Sequence, residues 1–187
     1  MRAFFCIPLG VGQRTAIASI AERFRGATRM RASWVRPENY HLTVRFLGEI
    51  DPILTVDLDQ VCRGVAESVD PFAITFDRLG AFPAAERARV LWVGGETPAE
   101  YINLVTSLNE QLRPLGFGPE WKRPVAHVTV ARIKSVPDPD LGRLLEAPHT
   151  FPSEPARVDR VALMESRLTP EGAVYSPLFE VRLGVER

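Results

Sequence analysis

The sequence predicts an α+β domain, and three observations predict it. Apolar runs of strand length are interleaved with stretches of helical periodicity, the connections between them are short and turn-rich as antiparallel neighbours require, and 187 residues suffice for one well-buried core but are short for two. We therefore read residues 1–187 as a single domain.

The elements follow in order. Phe4-Phe5-Cys6-Ile7 reads as a buried strand closed by Pro8, and Ile17, Ile20, Ala21 and Phe24 then fall on one face of a helix. Leu42, Val44 and Phe46 alternate with His41, Thr43 and Arg45, a strand with two distinct faces. Asp51-Pro52, a capping residue followed by proline at the first helical position, opens a helix over 52–69. Two strand-like runs come next, Phe72–Leu79 and Arg89–Val93, the second ending at Gly94-Gly95. Ile102, Val105, Leu108 and Leu112 mark a helix over 98–113, and the turn-rich piece Pro114–Pro124 leads into a strand at Ala126–Ile133. After a proline-rich loop from Pro137 to Pro155, Val158–Met164 and Val174–Leu183 supply late strands.

Composition narrows the function classes. With 45% hydrophobic and 25% charged residues the chain is ordinary globular material, and no apolar stretch approaches membrane-spanning length. The N-terminus is too short in apolar residues for a secretory signal, and Cys6 and Cys62 lack the spacing of a disulfide framework or zinc site. A cytoplasmic protein is expected. Net charge is zero, but residues 1–50 hold eight arginines against Glu22, Glu38 and Glu49, while the stretch to residue 79 is acidic. One basic face for an anionic ligand follows, although an arginine-biased solvated surface would give the same counts.

One internal echo carries chemistry. His41-Leu42-Thr43-Val44 and His127-Val128-Thr129-Val130 each begin a strand, and a strand and a helix precede each. Alternation puts His and Thr of each tetrad on one face while Leu42 or Val128 packs the other. A lone strand histidine is usually structural, but two such tetrads side by side would set two imidazoles and two hydroxyls around one cavity. That set suits opening of a cyclic phosphodiester, where one imidazole takes a proton from water and the other gives one to the departing oxygen. Thr43 and Thr129 can donate to non-bridging phosphate oxygens, and Arg132 can add a charged contact. From the residues alone either histidine could be the acid. No cofactor is needed, and no cluster of further ligands joins the histidines to make a metal site. His149, in Pro148-His149-Thr150, reads as exposed and inert.

The segment from Trp34 to Gly48, with Pro37-Glu38-Asn39-Tyr40 before His41 and Arg45-Phe46-Leu47-Gly48 at its end, resembles the first signature of the two-histidine phosphoesterases. His127-Val128-Thr129-Val130-Ala131-Arg132 resembles their second, and Arg2–Leu9, Leu163–Leu168, Gly172 and Tyr175 fit the branch of RNA 2′,3′-cyclic phosphodiesterases, also described as 2′-5′ RNA ligases. Valine stands at Val44 and Val130 where leucine is frequent in that family. The resemblance implies a bilobal fold of two pseudo-symmetric lobes with both tetrads in the central cleft. It implies His41 as proton donor, His127 as the base that activates water, a 2′-phosphate product, and a capacity for 2′-5′ ligation. RNA with 2′,3′-cyclic phosphate ends, such as tRNA fragments, would be the partner, and the chain would act as a monomer. Small cyclic nucleotides, ADP-ribose cyclic phosphate, or an idle RNA-binding module are the alternatives.

Bases are stacked on aromatic rings in most RNA-binding sites. Of Phe4, Phe5, Trp34, Phe46, Phe82, Trp121 and Tyr175, most are expected in the core, and Trp121 beside Lys122 and Arg123 is the best exposed candidate. Arg36 and Arg45 are candidates for phosphates further along an RNA chain.

Overall fold

A computed structural model describes residues 1–120, 122–170 and 172–184. In chain order the elements are β1 (Arg2–Pro8), α1 (Val11–Ala27), β2 (Ala32–Trp34), β3 (His41–Glu49), α2 (Thr55–Glu67), β4 (Phe72–Ile74), β5 (Arg78–Phe82), β6 (Val90–Gly94), α3 (Ala99–Leu112), β7 (His127–Ile133), α4 (Leu141–Glu146), β8 (Ala156–Val158), β9 (Arg160–Thr169) and β10 (Gly172–Arg182). The expected α+β class is what is found. Seven strands run in the order β10-β9-β1-β3-β7-β6-β5, β2 joins them by pairing with β7, and β4 and β8 form a separate ribbon. The paired strands of the main sheet are antiparallel throughout.

Helices cover one face of the sheet. Phe5, Ile7, Leu42, Val128, Leu91 and Val93 turn toward the core, which they share with Ile17, Ile20 and Phe24 of α1 and Leu104 and Leu108 of α3. The Asp51 side chain accepts from the Ile53 amide at 3.0 Å, the cap expected of Asp51-Pro52, and a 3-10 turn at Pro52–Leu54 leads into α2. Phe4, Cys6 and Ala162, with Met164 and Tyr175 against them, form a small second cluster on the opposite face.

The two tetrads are paired to their neighbours in the same way. Pro8 stands opposite His41, Ile7 opposite Leu42 and Cys6 opposite Thr43, while Gly94 stands opposite His127, Val93 opposite Val128 and Trp92 opposite Thr129. Each ladder then slips by one residue, between Phe5 and Cys6 in one and between Leu91 and Trp92 in the other. Val44 and Val130 are thus the extra residues of two β-bulges. Leu42 pairs with Val128, which sets the tetrads side by side.

Two stretches and one residue depart from the sequence expectation. The run Phe72–Leu79 is broken: Phe72–Ile74 pairs with β8 in the ribbon and Arg78–Phe82 with β6 in the main sheet. The chain crosses between them over Gly95, where a Cβ would come within 2.1 Å of the Thr75 carbonyl oxygen. The proline-rich loop holds a short helix, α4, whose Leu141 is buried. His149 is not an exposed bystander, since its Nε2 meets the Leu144 carbonyl at 2.9 Å and its ring lies near Phe24 and Phe151. It is a packing residue that fastens the loop to α1.

Candidate active site

A cleft of about 600 Å³ opens over β3 and β7, and His41, Thr43, His127, Thr129 and Arg132 all line it, together with Tyr101 and Val105 of α3. Four of the five follow from strand alternation alone. Arg132 does not, because five residues after His127 a regular strand would turn it toward the core. The bulge at Val130 shifts the alternation by one and returns Arg132 to the histidine's side. The bulge at Val44 does the same for Phe46, five residues after His41.

Each imidazole is held by a backbone carbonyl two residues before it. His41 Nδ1 lies 2.7 Å from the Asn39 oxygen, and His127 Nδ1 lies 2.7 Å from the Val125 oxygen. A carbonyl accepts only, so Nδ1 carries the proton in both rings and Nε2 is left basic toward the cleft. Thr43 donates its hydroxyl to His41 Nε2 at 3.1 Å. Tyr101 of α3 donates to the Thr43 carbonyl at 2.7 Å, and Thr97 accepts from the Ala126 amide at 3.1 Å, so both tetrads are braced from behind.

Aromatic rings wall the two histidines. The Phe4 and Tyr175 ring centroids lie 4.9 and 5.4 Å from that of His41, and Phe82 and Trp92 lie 4.9 and 6.1 Å from His127. Removing water from an imidazole disfavours its charged form. Burial thus takes His41 down to about 4, a fall that the Asn39 carbonyl opposes and the charges of His127 and Arg132 extend. Burial lowers His127 as well, with the Val125 carbonyl opposing and Arg132 adding to the fall. In the open cleft at neutral pH both rings are neutral.

The rim is basic. Arg45, Arg89, Lys122, Arg123 and Arg132 line the cleft against Glu120 alone among the lining carboxylates. Arg45 is committed to the protein, since its guanidinium meets Glu120 at 2.9 Å and the Gly118 carbonyl and so ties that loop to β3. Arg36 does not line the cleft, which leaves Arg89, outside every sequence motif, as the cation that sequence reading missed. Trp121 lies outside the described residues. Of the other aromatic candidates Phe46 is the exposed one, at 51%, while Phe5 is core. Cys6 and Cys62 are free and buried, and burial pushes both thiols up to about 12. No group of three or more metal-ligating side chains is gathered among the described residues.

The chain has counterparts among known proteins. The model of the family described as LigT like Phosphoesterase matches residues 9–92 and 95–175. The chain belongs to the LigT-like phosphoesterases. It is 32% identical to the RNA 2′,3′-cyclic phosphodiesterase of Methanothermobacter thermautotrophicus over 98% of this chain and 99% of that one. With the protein of the same name from Thermotoga maritima identity is 34%, over 96% and 94% of the two chains. The crystal structure of TT0787 of Thermus thermophilus superposes on this LigT-like phosphoesterase with a TM-score of 0.82, 27% identity and full coverage of both chains.

Proposed function

We propose that this LigT-like phosphoesterase hydrolyses the 2′,3′-cyclic phosphate ends of RNA to 2′-phosphates, with His41 and His127 as its acid–base pair and residues 1–187 acting as one catalytic domain of two matched lobes. Support comes from the relatives' activity and, above all, from one observation: two neutral imidazoles, each with Nδ1 held by a carbonyl, turn Nε2 toward the same cleft.

His127 Nε2 takes a proton from water as the water oxygen bonds to phosphorus. The P–O3′ bond breaks, and His41 gives its Nε2 proton to O3′, leaving a 2′-phosphate and a free 3′-hydroxyl. Thr43, Thr129 and Arg132 hold the non-bridging oxygens, where charge shifts during the displacement. The phosphate's own negative charge favours the imidazolium that burial disfavours, so substrate brings the proton donor into its working state. Burial takes His41 down to about 4, so once protonated it gives up its proton readily. A ribose hydroxyl in place of water would run the same displacement toward a 2′-5′ linkage.

No helix of the described residues is long and apolar enough to cross a membrane. Two free, buried thiols fit a reducing, cytoplasmic setting, with the chain acting as a monomer on RNA ends such as those of cleaved tRNA. The test is the product. RNA carrying a labelled 2′,3′-cyclic phosphate should yield an end that a phosphatase specific for 3′-phosphates leaves intact; release of the label would make O2′ the leaving group.

A further inference from the structure

Outside the catalytic cleft, a groove of about 450 Å³ wraps the outer edge of β2 and is lined by Arg25, Arg29, Arg31, Lys134 and Trp34. No carboxylate lines it. Glu22 reaches Arg25 at 3.5 Å, and Asp138 faces the Thr28 hydroxyl and the Arg29 amide, but Arg31 and Lys134 make no ion pair among the described residues. The Arg25 guanidinium lies 6.0 Å from the centroid of the Trp34 ring. Exposed like charges gathered in this way repel one another, and a polyanion relieves that repulsion.

The groove and the cleft are separate cavities that share no lining residue, and β2 and β7 link them. Trp34 pairs with buried Ala131 and so lies on the other face from Arg132, which means the groove wraps the edge of β2 and meets the cleft face only through Arg31 and Lys134. Ser33 pairs with Arg132, and the Lys134 amide donates to the Arg31 carbonyl at 2.8 Å, so Arg31 and Lys134 stand across from each other one pleat beyond Arg132. Residues two apart on a strand share a face and sit roughly 6–7 Å from each other. Arg132, at the phosphate of the reacting end, is thus the first of a file of cations that leads out of the cleft. A cyclic phosphate occupies the 3′ end of its strand, so the rest of the RNA has only its 5′ side from which to leave.

We propose that this groove holds the sugar–phosphate backbone of the nucleotides 5′ to the reacting end, with Arg31 and Lys134 on successive phosphates and Arg25 and Arg29 beyond them. The proposal rests on the reading of the cleft as the site of an RNA cyclic-phosphate end. It makes the groove a determinant of preference for RNA over mononucleotides, with no part in the chemistry.

The experiment compares a nucleoside 2′,3′-cyclic phosphate with an RNA oligonucleotide ending in the same nucleotide, across a range of salt concentrations. The wild type should favour the oligonucleotide, and log kcat/KM on it should fall with log salt. Arg31→Ala/Lys134→Ala should raise KM for the oligonucleotide about tenfold and make the salt slope shallower by about 1.4, two contacts at about 0.7 each. Turnover of the mononucleotide by that variant should match the wild type, which also shows the fold intact. Arg29→Glu should weaken the oligonucleotide alone in the same way. Equal losses on both substrates, or no loss on the oligonucleotide, would overturn the groove as an RNA track. Wild-type protein that opens neither substrate would overturn the cleft reading first, and the groove's role with it.

Discussion

Val44 and Val130 occupy the same place in the two His-x-Thr-Val tetrads, and each is the extra residue of a β-bulge. Because a bulge reverses the alternation beyond it, Phe46 and Arg132 become equivalent positions on the cleft face, one aromatic and one cationic. The near-symmetric frame is thereby given two unlike ends: Phe46 presents an exposed ring to the cleft, and Arg132 presents a guanidinium.

Arg132→Ala should therefore lower kcat/KM on cyclic-phosphate RNA by roughly 100-fold, the scale of losing one charged contact to a transition-state oxygen. Its charge also helps hold both imidazoles down, so the variant's pH profile should move upward. Steady-state kinetics across pH check both effects, and Arg132→Lys should recover part of each.

The wild-type profiles should separate. The free enzyme's histidines lie below the ordinary value near 6.5, with His41 at about 4, so kcat/KM should peak on the acid side of about 6.5. Bound phosphate raises both, and the kcat profile should lie at higher pH. Coincident profiles would mean that substrate charge does not act on the pair.

Stability carries the same signature. His41 is held at about 4 when folded and near the ordinary 6.5 when unfolded, so between those values the unfolded chain binds more protons. Stability is then full above about 6.5 and falls as pH drops toward 4, by on the order of 3 kcal/mol from this residue. Denaturant unfolding at both ends of that window should show a smaller difference in His41→Gln than in the wild type.

Gly80 stands opposite Trp92, and a Cβ there would lie 2.1 Å from the indole ring. Trp92 in turn walls His127. Gly80→Ala should push the ring aside, cost about 1–3 kcal/mol by overpacking, and lower kcat more than it raises KM. Unfolding midpoints and kinetics on the one variant check this.

Much of the site was legible in the sequence because strand alternation is local. His41 with Thr43 and His127 with Thr129 share faces by period alone. What escaped depends on partners. The facing of Arg132 is decided by a slip against Leu91 and Trp92 that no single strand reveals. The carbonyls of Asn39 and Val125 that fix the imidazoles belong to the backbone, which residue identity does not mark. The run Phe72–Leu79 has strand character throughout, yet its halves serve different sheets, and prolines on both sides concealed α4.

The central claim is that the two imidazoles perform the proton transfers, and single-turnover opening of a cyclic-phosphate RNA by His41→Ala and His127→Ala tests it most directly. Each variant should keep its fold, since both rings are only half-buried. Each should fall by at least ~100-fold, the range for loss of a general acid or base. A folded variant that retains more than roughly a tenth of the wild-type rate would contradict the assignment, because a single missing proton carrier should cost more than that.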